Sequence, residues 1–342
     1  MNKRLVILAM AVGLTAGDAA RADAIRKTDG KPLGNVNVVQ MSAQEVTIEQ
    51  GGASTTIPVN EIQTIRYAKE PSLLNTARTA LEAGRNEDAV AALEKVNADD
   101  QRPEVQQDVL FCTALAKTRI ALAGTDEEAV KEAGRLMAGF VKAHPNSYHY
   151  FEACELVGDA LVATGNYPAS QDFYGRVAKA PWPDYQMRAG VALGLALLAE
   201  GKTDEALKSF QGALDTQAEG ESADRQRLAA TLGKARCLTE TGGGDEAVKL
   251  VEGVIEKADT EEALLHARAY NALGAAHRKA GRAKDALLAF LHVDLLYFTS
   301  PKEHIEALEN LVELFEQVQQ PERADEAAKI LQERYKRNPR SD

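Results

Sequence analysis

From Pro71 to the C-terminus, apolar residues recur at i, i+3, i+4 and i+7 among Glu, Ala, Leu, Lys and Arg. That is the period of an amphipathic helix. Before Pro71 the spacing changes. "NVNVVQ", "EVTIEQ", "STTIPV" and "IQTIRY" are rich in β-branched residues and partly alternate apolar with polar positions, as half-buried strands do. Asp29-Gly30, Leu33-Gly34 and Gly51-Gly52 supply turn chemistry between them. Residues 23–69 are therefore expected to form four or five strands. So small a sheet must curl to bury its apolar face, so a small all-β barrel-like domain is predicted there, with residues 70–342 helical.

The helical part repeats itself. A glycine is followed five positions later by a small residue at Gly84/Ala89, Gly124/Ala129, Gly165/Ser170, Gly201/Ala206, Gly242/Ala247 and Gly281/Ala286. The glycines are 40, 41, 36, 41 and 39 residues apart. A large or apolar residue comes four positions after most of the small ones: Leu93, Tyr174, Phe210, Val251 and Phe290. A degenerate seventh unit carries Ala327 and Leu331. The glycine is read as the end of a first helix, where a left-handed residue satisfies orphan carbonyls. Asp or Thr just after it is read as the start of a second helix. Further glycines, Gly158, Gly194 and Gly274, fall inside the first helices. There each costs about 1 kcal/mol of helix propensity against alanine, which is tolerable if a partner helix packs on the bare backbone.

The pattern of Leu193, Gly194, Gly201, Ala206, Phe210 and Ala213 resembles the tetratricopeptide repeat (TPR). Leu273, Gly274, Gly281, Ala286, Phe290 and Val293 match it too, as do Gly158, Gly165, Tyr167, Ser170, Tyr174 and Val177. The resemblance covers roughly residues 72–337, with a period longer than the usual 34. It implies a mainly α fold: an α-solenoid of about seven helix hairpins whose first helices line a concave face that binds protein or peptide partners. On that face the register places Glu152, Glu155 and Asp159, then Arg236, then Arg268, Asn271, Arg278 and Lys279. These form a candidate groove running from an acidic to a basic end, although the same residues also fit ordinary solvated helix charges. In the N-terminal segment, "DGKPLGNV", "EVTIE" and "IPVNEIQTI" follow one another in an order similar to an Sm-like barrel, with Val59-Asn60 as a turn and Ile62 and Ile65 buried. That domain is expected to cap the helical array, to dock a partner or to oligomerise.

Charge and cysteine change the picture in specific ways. Lys3 and Arg4, the apolar run Leu5–Gly17 and Ala20-Arg21-Ala22 fit a signal peptide over residues 1–22. The protein is then expected to be exported, periplasmic in a bacterium or secreted, with no integral membrane segment left after cleavage. Without those residues, Lys and Arg fall from 40 to 37 and Asp and Glu from 51 to 50, a net charge of −13. Such a balance argues against nucleic acid as a partner. Cys112, Cys154 and Cys237 are far apart in apolar helical contexts and read as buried free thiols. Trp182 in "APWPDY" is expected to pack at a junction between repeats, and "LLYFTSP" (295–301) to seal a helix end. His149 and Glu152 share a helix face but lack a third metal ligand, and no nucleophile, phosphate-loop or metalloprotease signature occurs. No cofactor or metal is expected. The sequence points to a non-enzymatic scaffold or adaptor, or alternatively to a structural subunit of a cell-envelope assembly that self-associates through its β domain.

Overall fold

The computed structural model describes residues 22–337. The expected signal peptide therefore lies outside the described residues. Five strands come first: β1 Asp23–Lys27, β2 Pro32–Met41, β3 Glu45–Gln50, β4 Ala53–Pro58 and β5 Ile62–Arg66, with a 3₁₀ turn at Val59–Glu61 before β5. They form one antiparallel sheet in the order β4-β3-β2-β1-β5. Alternation buries Val36 and Val38 of β2 and Val46 and Ile48 of β3. In β5 the buried residues, Ile62 and Ile65, are three apart, because the pairing with β1 shifts register between Arg26 and Lys27.

Fourteen helices follow: α1 Ser72–Glu82, α2 Asn86–Leu93, α3 Pro103–Ala123, α4 Glu127–Ala143, α5 Tyr150–Ala163, α6 Tyr167–Val177, α7 Pro183–Ala199, α8 Thr203–Asp215, α9 Glu221–Thr241, α10 Gly244–Lys257, α11 Ala263–Lys279, α12 Ala283–Leu296, α13 Pro301–Gln317 and α14 Pro321–Tyr335. Each odd helix pairs with the even helix after it, giving seven hairpins in a TPR-like α-solenoid. Successive odd helices also touch one another, from α1–α3 through to α11–α13, and successive even helices make no comparable contacts. The odd helices therefore form the closer, inner layer of a curved stack.

The hairpin turns work as the glycine pattern predicts. Gly201 (φ +83°) and Gly281 (φ +73°) sit in the left-handed region. The next N–H bonds back into the preceding helix, Lys202 to the Leu197 carbonyl at 2.8 Å and Arg282 to the His277 carbonyl at 2.9 Å. The last hairpin keeps this geometry without a glycine: Gln319 has φ 62°, and Gln320 N–H bonds the Phe315 carbonyl at 2.8 Å. Gly124 departs from the pattern, with φ −88°. There Asp126 caps α4 instead, accepting from the N–H groups of Glu128 and Ala129 at 3.0 and 3.2 Å. Elsewhere the expected start residues lie inside the first turn, such as Asp204 and Asp245, where they suit the positive end of the helix without capping it.

The glycines inside the odd helices are covered by the aromatic residue of the following even helix. A Cβ placed on Gly158 would meet the Tyr174 ring at 2.4 Å, one on Gly194 the Phe210 ring at 2.6 Å, and one on Gly274 the Phe290 ring at 2.6 Å. A Cβ placed on Gly233 of α9 would meet the same Phe210 ring, from its other side, at 2.3 Å. Bare backbone thus lets a full aromatic ring lie between hairpins at native packing density.

The sheet shares its core with the solenoid. Ile25, Val46, Ile65 and Tyr67 join Leu74, Val105, Phe111 and Cys154 in one continuous apolar cluster. Asp23, 1% exposed, fastens the junction. It accepts from the N–H groups of Val38 (2.9 Å) and Ala68 (2.7 Å) and from Arg102 (3.0 Å) just before α3. Trp182 packs edge-on against Phe151 and Tyr185 between α5 and α7. The three cysteines are buried and free. No helix among the described residues is long and apolar enough to cross a membrane.

Candidate functional site

All eight candidate residues fall on odd helices: Glu152, Glu155 and Asp159 on α5, Arg236 on α9, and Arg268, Asn271, Arg278 and Lys279 on α11. They are not free charges. Glu152 faces Arg119 of α3 at 3.9 Å, and Glu155 pairs with Arg188 of α7. Lys279 reaches Glu240 of α9 at 3.8 Å. Arg268 pairs with Glu303 of α13 at 3.3 Å, and Arg278 with Glu313 and, at 2.6 Å, with the side-chain Oδ1 of Asn310. Arg236 reaches past α11 to Glu306 of α13 at 3.7 Å. The inner face is thus laced by ion pairs between successive helices.

Asn271 differs from its neighbours, being 1% exposed. Its amide donates to the backbone carbonyl of Glu303 at 2.9 Å, so it fastens α11 to α13 and presents nothing to a groove. The basic stripe of α11 is likewise not an open basic end. It is matched by Glu303, Asn310 and Glu313, which with Glu306, the partner of Arg236, are spaced three, four and three apart along one face of α13. These partners were missed in the sequence because α13 belongs to the degenerate hairpin, although that spacing is itself a legible acidic stripe. Arg119 and Arg188 were missed for lack of a way to align one hairpin against the next.

Asp159 is partly buried in the wall and accepts a 2.7 Å hydrogen bond from the Tyr174 hydroxyl. Burial and the nearby Glu155 carboxylate push its pKa up to about 6, against the pull of Tyr174, Arg268 and Arg188.

A cavity of about 280 Å³ opens at the N-terminal end of this face, where β5 meets α1, α3 and the start of α5. Gln63, Arg119 and Glu152 stand at it, with Leu81, Phe111 and Leu115 as apolar lining. Beneath lies a buried charge chain. Arg78 donates to Asp108 (Nε, 3.1 Å) and to Glu70 (2.8 Å), and Asp108 bonds His149 Nε2 at 3.0 Å. The His149 ring stacks on Phe111 with centroids 3.7 Å apart. Burial opposes ionisation of Asp108, but Arg78 and His149 outweigh it and hold the carboxyl below its usual range. Cys112, also lining the cavity, has its thiol pushed far above the usual range by burial and by Asp108, so it is not an activated nucleophile. Among the described residues no group of three or more His, Cys, Asp or Glu is placed to hold a metal ion.

This is a TPR-like α-solenoid with a small antiparallel sheet at its head. Residues 197–269 match the family model described as Tetratricopeptide repeat. A tetratricopeptide repeat protein from Parabacteroides merdae superposes with a TM-score of 0.54 at 15% identity, over 75% of this chain and 90% of that one. The apo quorum sensor NprR from B. thuringiensis gives 0.55 at 17% identity, over 76% and 74%. A Rap protein complexed with Competence and Sporulation Factor gives 0.53 at 14% identity, over 75% and 74%. No curated protein gave a significant match.

Proposed function

We propose that the chain is an exported, non-enzymatic scaffold that holds an extended segment of a protein partner along the inner face of its solenoid. The carrying observation is the 280 Å³ cavity at the head of that face, apolar on one wall and charged at its mouth. Such a cavity suits one anchoring side chain of an extended peptide, with Arg119 and Glu152 free to exchange their 3.9 Å contact for backbone or side-chain groups of the ligand. The inter-helix ion pairs fix the curvature of the face before a ligand arrives, which lowers the ordering cost of binding. The Rap protein solved with its factor gives a precedent for ligand binding by a solenoid of this fold. In this reading the β sheet caps the first hairpins and forms one wall of the anchor cavity.

The test is crosslinking in the native envelope with the wild-type chain, Gln63→Trp and Glu252→Lys. Gln63 is exposed at the cavity and Glu252 is exposed on the outer helix α10. Loss of the captured partner in Gln63→Trp but not in Glu252→Lys is the expected result. Capture unchanged by both variants, or recovery of the protein in the cytoplasm, would sink the proposal. The second reading, a self-associating envelope subunit, draws on β4. It is an edge strand whose residues Ala53–Thr56 are all exposed.

A further inference from the structure

The outer faces of α8 and α10 are charged, and that of α12 is not. On α8 the exposed side chains are Asp204, Glu205, Lys208 and Asp215, and on α10 they include Asp245, Glu246, Lys249, Glu252 and Glu256. On α12 Lys284, Leu288, Leu291 and Leu295 are spaced four, three and four apart on one side of the helix, all exposed except Leu291, which is partly buried against the core. Leu288 is 60% exposed and Leu295 65% exposed. Leu296 and Phe298 just beyond them, and Leu264 at the start of the antiparallel α11, are exposed as well. Of the segment expected to seal a helix end, Tyr297 packs inward while Leu295, Leu296 and Phe298 stay exposed. The patch is firmly backed: Tyr270 stacks on His292 at 4.4 Å and on Tyr297 at 5.7 Å, and Tyr297 on His266 at 5.0 Å.

We infer that this face is a self-association surface, on which α12 of a second copy of the chain packs antiparallel about a two-fold axis. Two features select a second copy over another occupant. The stripe is straight and about 16 Å long from Lys284 to Leu295, the length of a matching helix stripe. Its two ends also complement each other. Lys284 is exposed and makes no ion pair among the described residues, while the last turn of α12 contains no basic side chain to offset its negative dipole end. Reversing a second copy along the first sets each Lys284 against the other's C-terminal turn, beside Leu295, and brings each Leu288 opposite the other's Leu291 across the axis. Asp285 lies about 100° round the helix, off the contact line. The contact is isologous, so it closes as a dimer and does not propagate. The inner faces of both copies stay open.

The measurement is molar mass by light scattering and sedimentation of the intact chain across a concentration series. A concentration-dependent dimer is expected. Leu288→Glu and Leu295→Lys should each weaken it about tenfold or more, since each removes a leucine from the buried stripe and the second also sets its ammonium group against Lys284 of the other copy. At concentrations low enough for wild type to be monomeric their thermal melts should match its own, because both sites are exposed in the monomer. Orientation is read by disulfide trapping, which the buried native cysteines leave clean. A mixture of Lys284→Cys and Leu295→Cys proteins should crosslink, and neither alone should do so comparably. A monomer at every concentration would overturn the inference and leave the patch to a different partner. A dimer insensitive to both substitutions, as pairing through β4 would give, would also overturn it. Equal self-crosslinking of Leu295→Cys alone would refute the antiparallel arrangement.

Discussion

Replacing Gly233 by alanine adds one methyl group to the middle of α9. In most exposed helices this substitution stabilises, by roughly 1 kcal/mol of helix propensity. Here the new Cβ would lie 2.3 Å from Cε1 and Cζ of Phe210, whereas carbon atoms in contact sit about 3.5–4.0 Å apart. The ring must retreat by more than 1 Å, but Gly194 closes its other side, where a Cβ would stand at 2.6 Å. Phe210 is fully buried, so no solvent-facing rotamer relieves the overlap. Overpacking of this kind costs roughly 1–3 kcal/mol. Taking the upper part of that range for a ring blocked on both sides, and subtracting the propensity gain, leaves a net destabilisation of about 1–2 kcal/mol. Gly212 of α8 supplies the control, since a Cβ there meets nothing within 4 Å. Gly212→Ala should stabilise by about 0.5–1 kcal/mol, so one chemical change should carry opposite signs in adjacent helices. Urea unfolding followed by far-UV circular dichroism reads both. The double variant Phe210→Ala/Gly233→Ala completes the cycle. It should be less destabilised than the sum of its singles, because the methyl group then enters vacated space. Gly233→Ala as stable as Gly212→Ala, or a strictly additive cycle, would refute the account of the aromatic residue clamped between bare backbones.

Three further outcomes follow from the buried charges and the last turn. Arg78→Leu leaves the Glu70 and Asp108 carboxylates buried without their cation and should cost about 3–5 kcal/mol in urea melts; adding Asp108→Asn should recover part of it. Asp159 has its folded pKa raised from 3.8 to about 6, so the folded state holds the proton more tightly than the unfolded chain. Its contribution is therefore most favourable below about pH 4 and is lost as pH rises towards 6, by about 1–3 kcal/mol; Asp159→Asn should flatten that segment of the stability–pH curve and stabilise the protein at neutral pH. Gln319→Gly should raise stability by about 1 kcal/mol in thermal melts, because φ 62° strains any side chain with a Cβ.

What the sequence made legible was whatever one hairpin settles by itself. A turn needing a left-handed residue selects glycine, and a ring packed on backbone selects glycine again, so Gly194, Gly201 and Phe210 recur in register. The paired inner-face charges were legible only by half. Register placed Arg268 and Arg278 on an odd helix, but whether they met solvent or an acid depended on the neighbouring hairpin. The acidic partners lay in α13, where no glycine marks the frame. Asn271 shows the same limit more sharply: on its own helix it sits on the groove side, and only the approach of Glu303 buries it. The apolar stripe of α12 escaped for the opposite reason. Leu288 and Leu295 carry the spacing of core residues, and a hydrophobic-periodicity reading assigns every such stripe to the inside of its own chain. An amphipathic helix has one face for its hairpin, but α12 has two apolar faces, Phe290 and Val293 inward, Leu288 and Leu295 outward. Local rules account for the first face alone. The second is explained only by something beyond the chain, so the place where intramolecular packing is already complete yet leucine continues is where a second copy is to be sought.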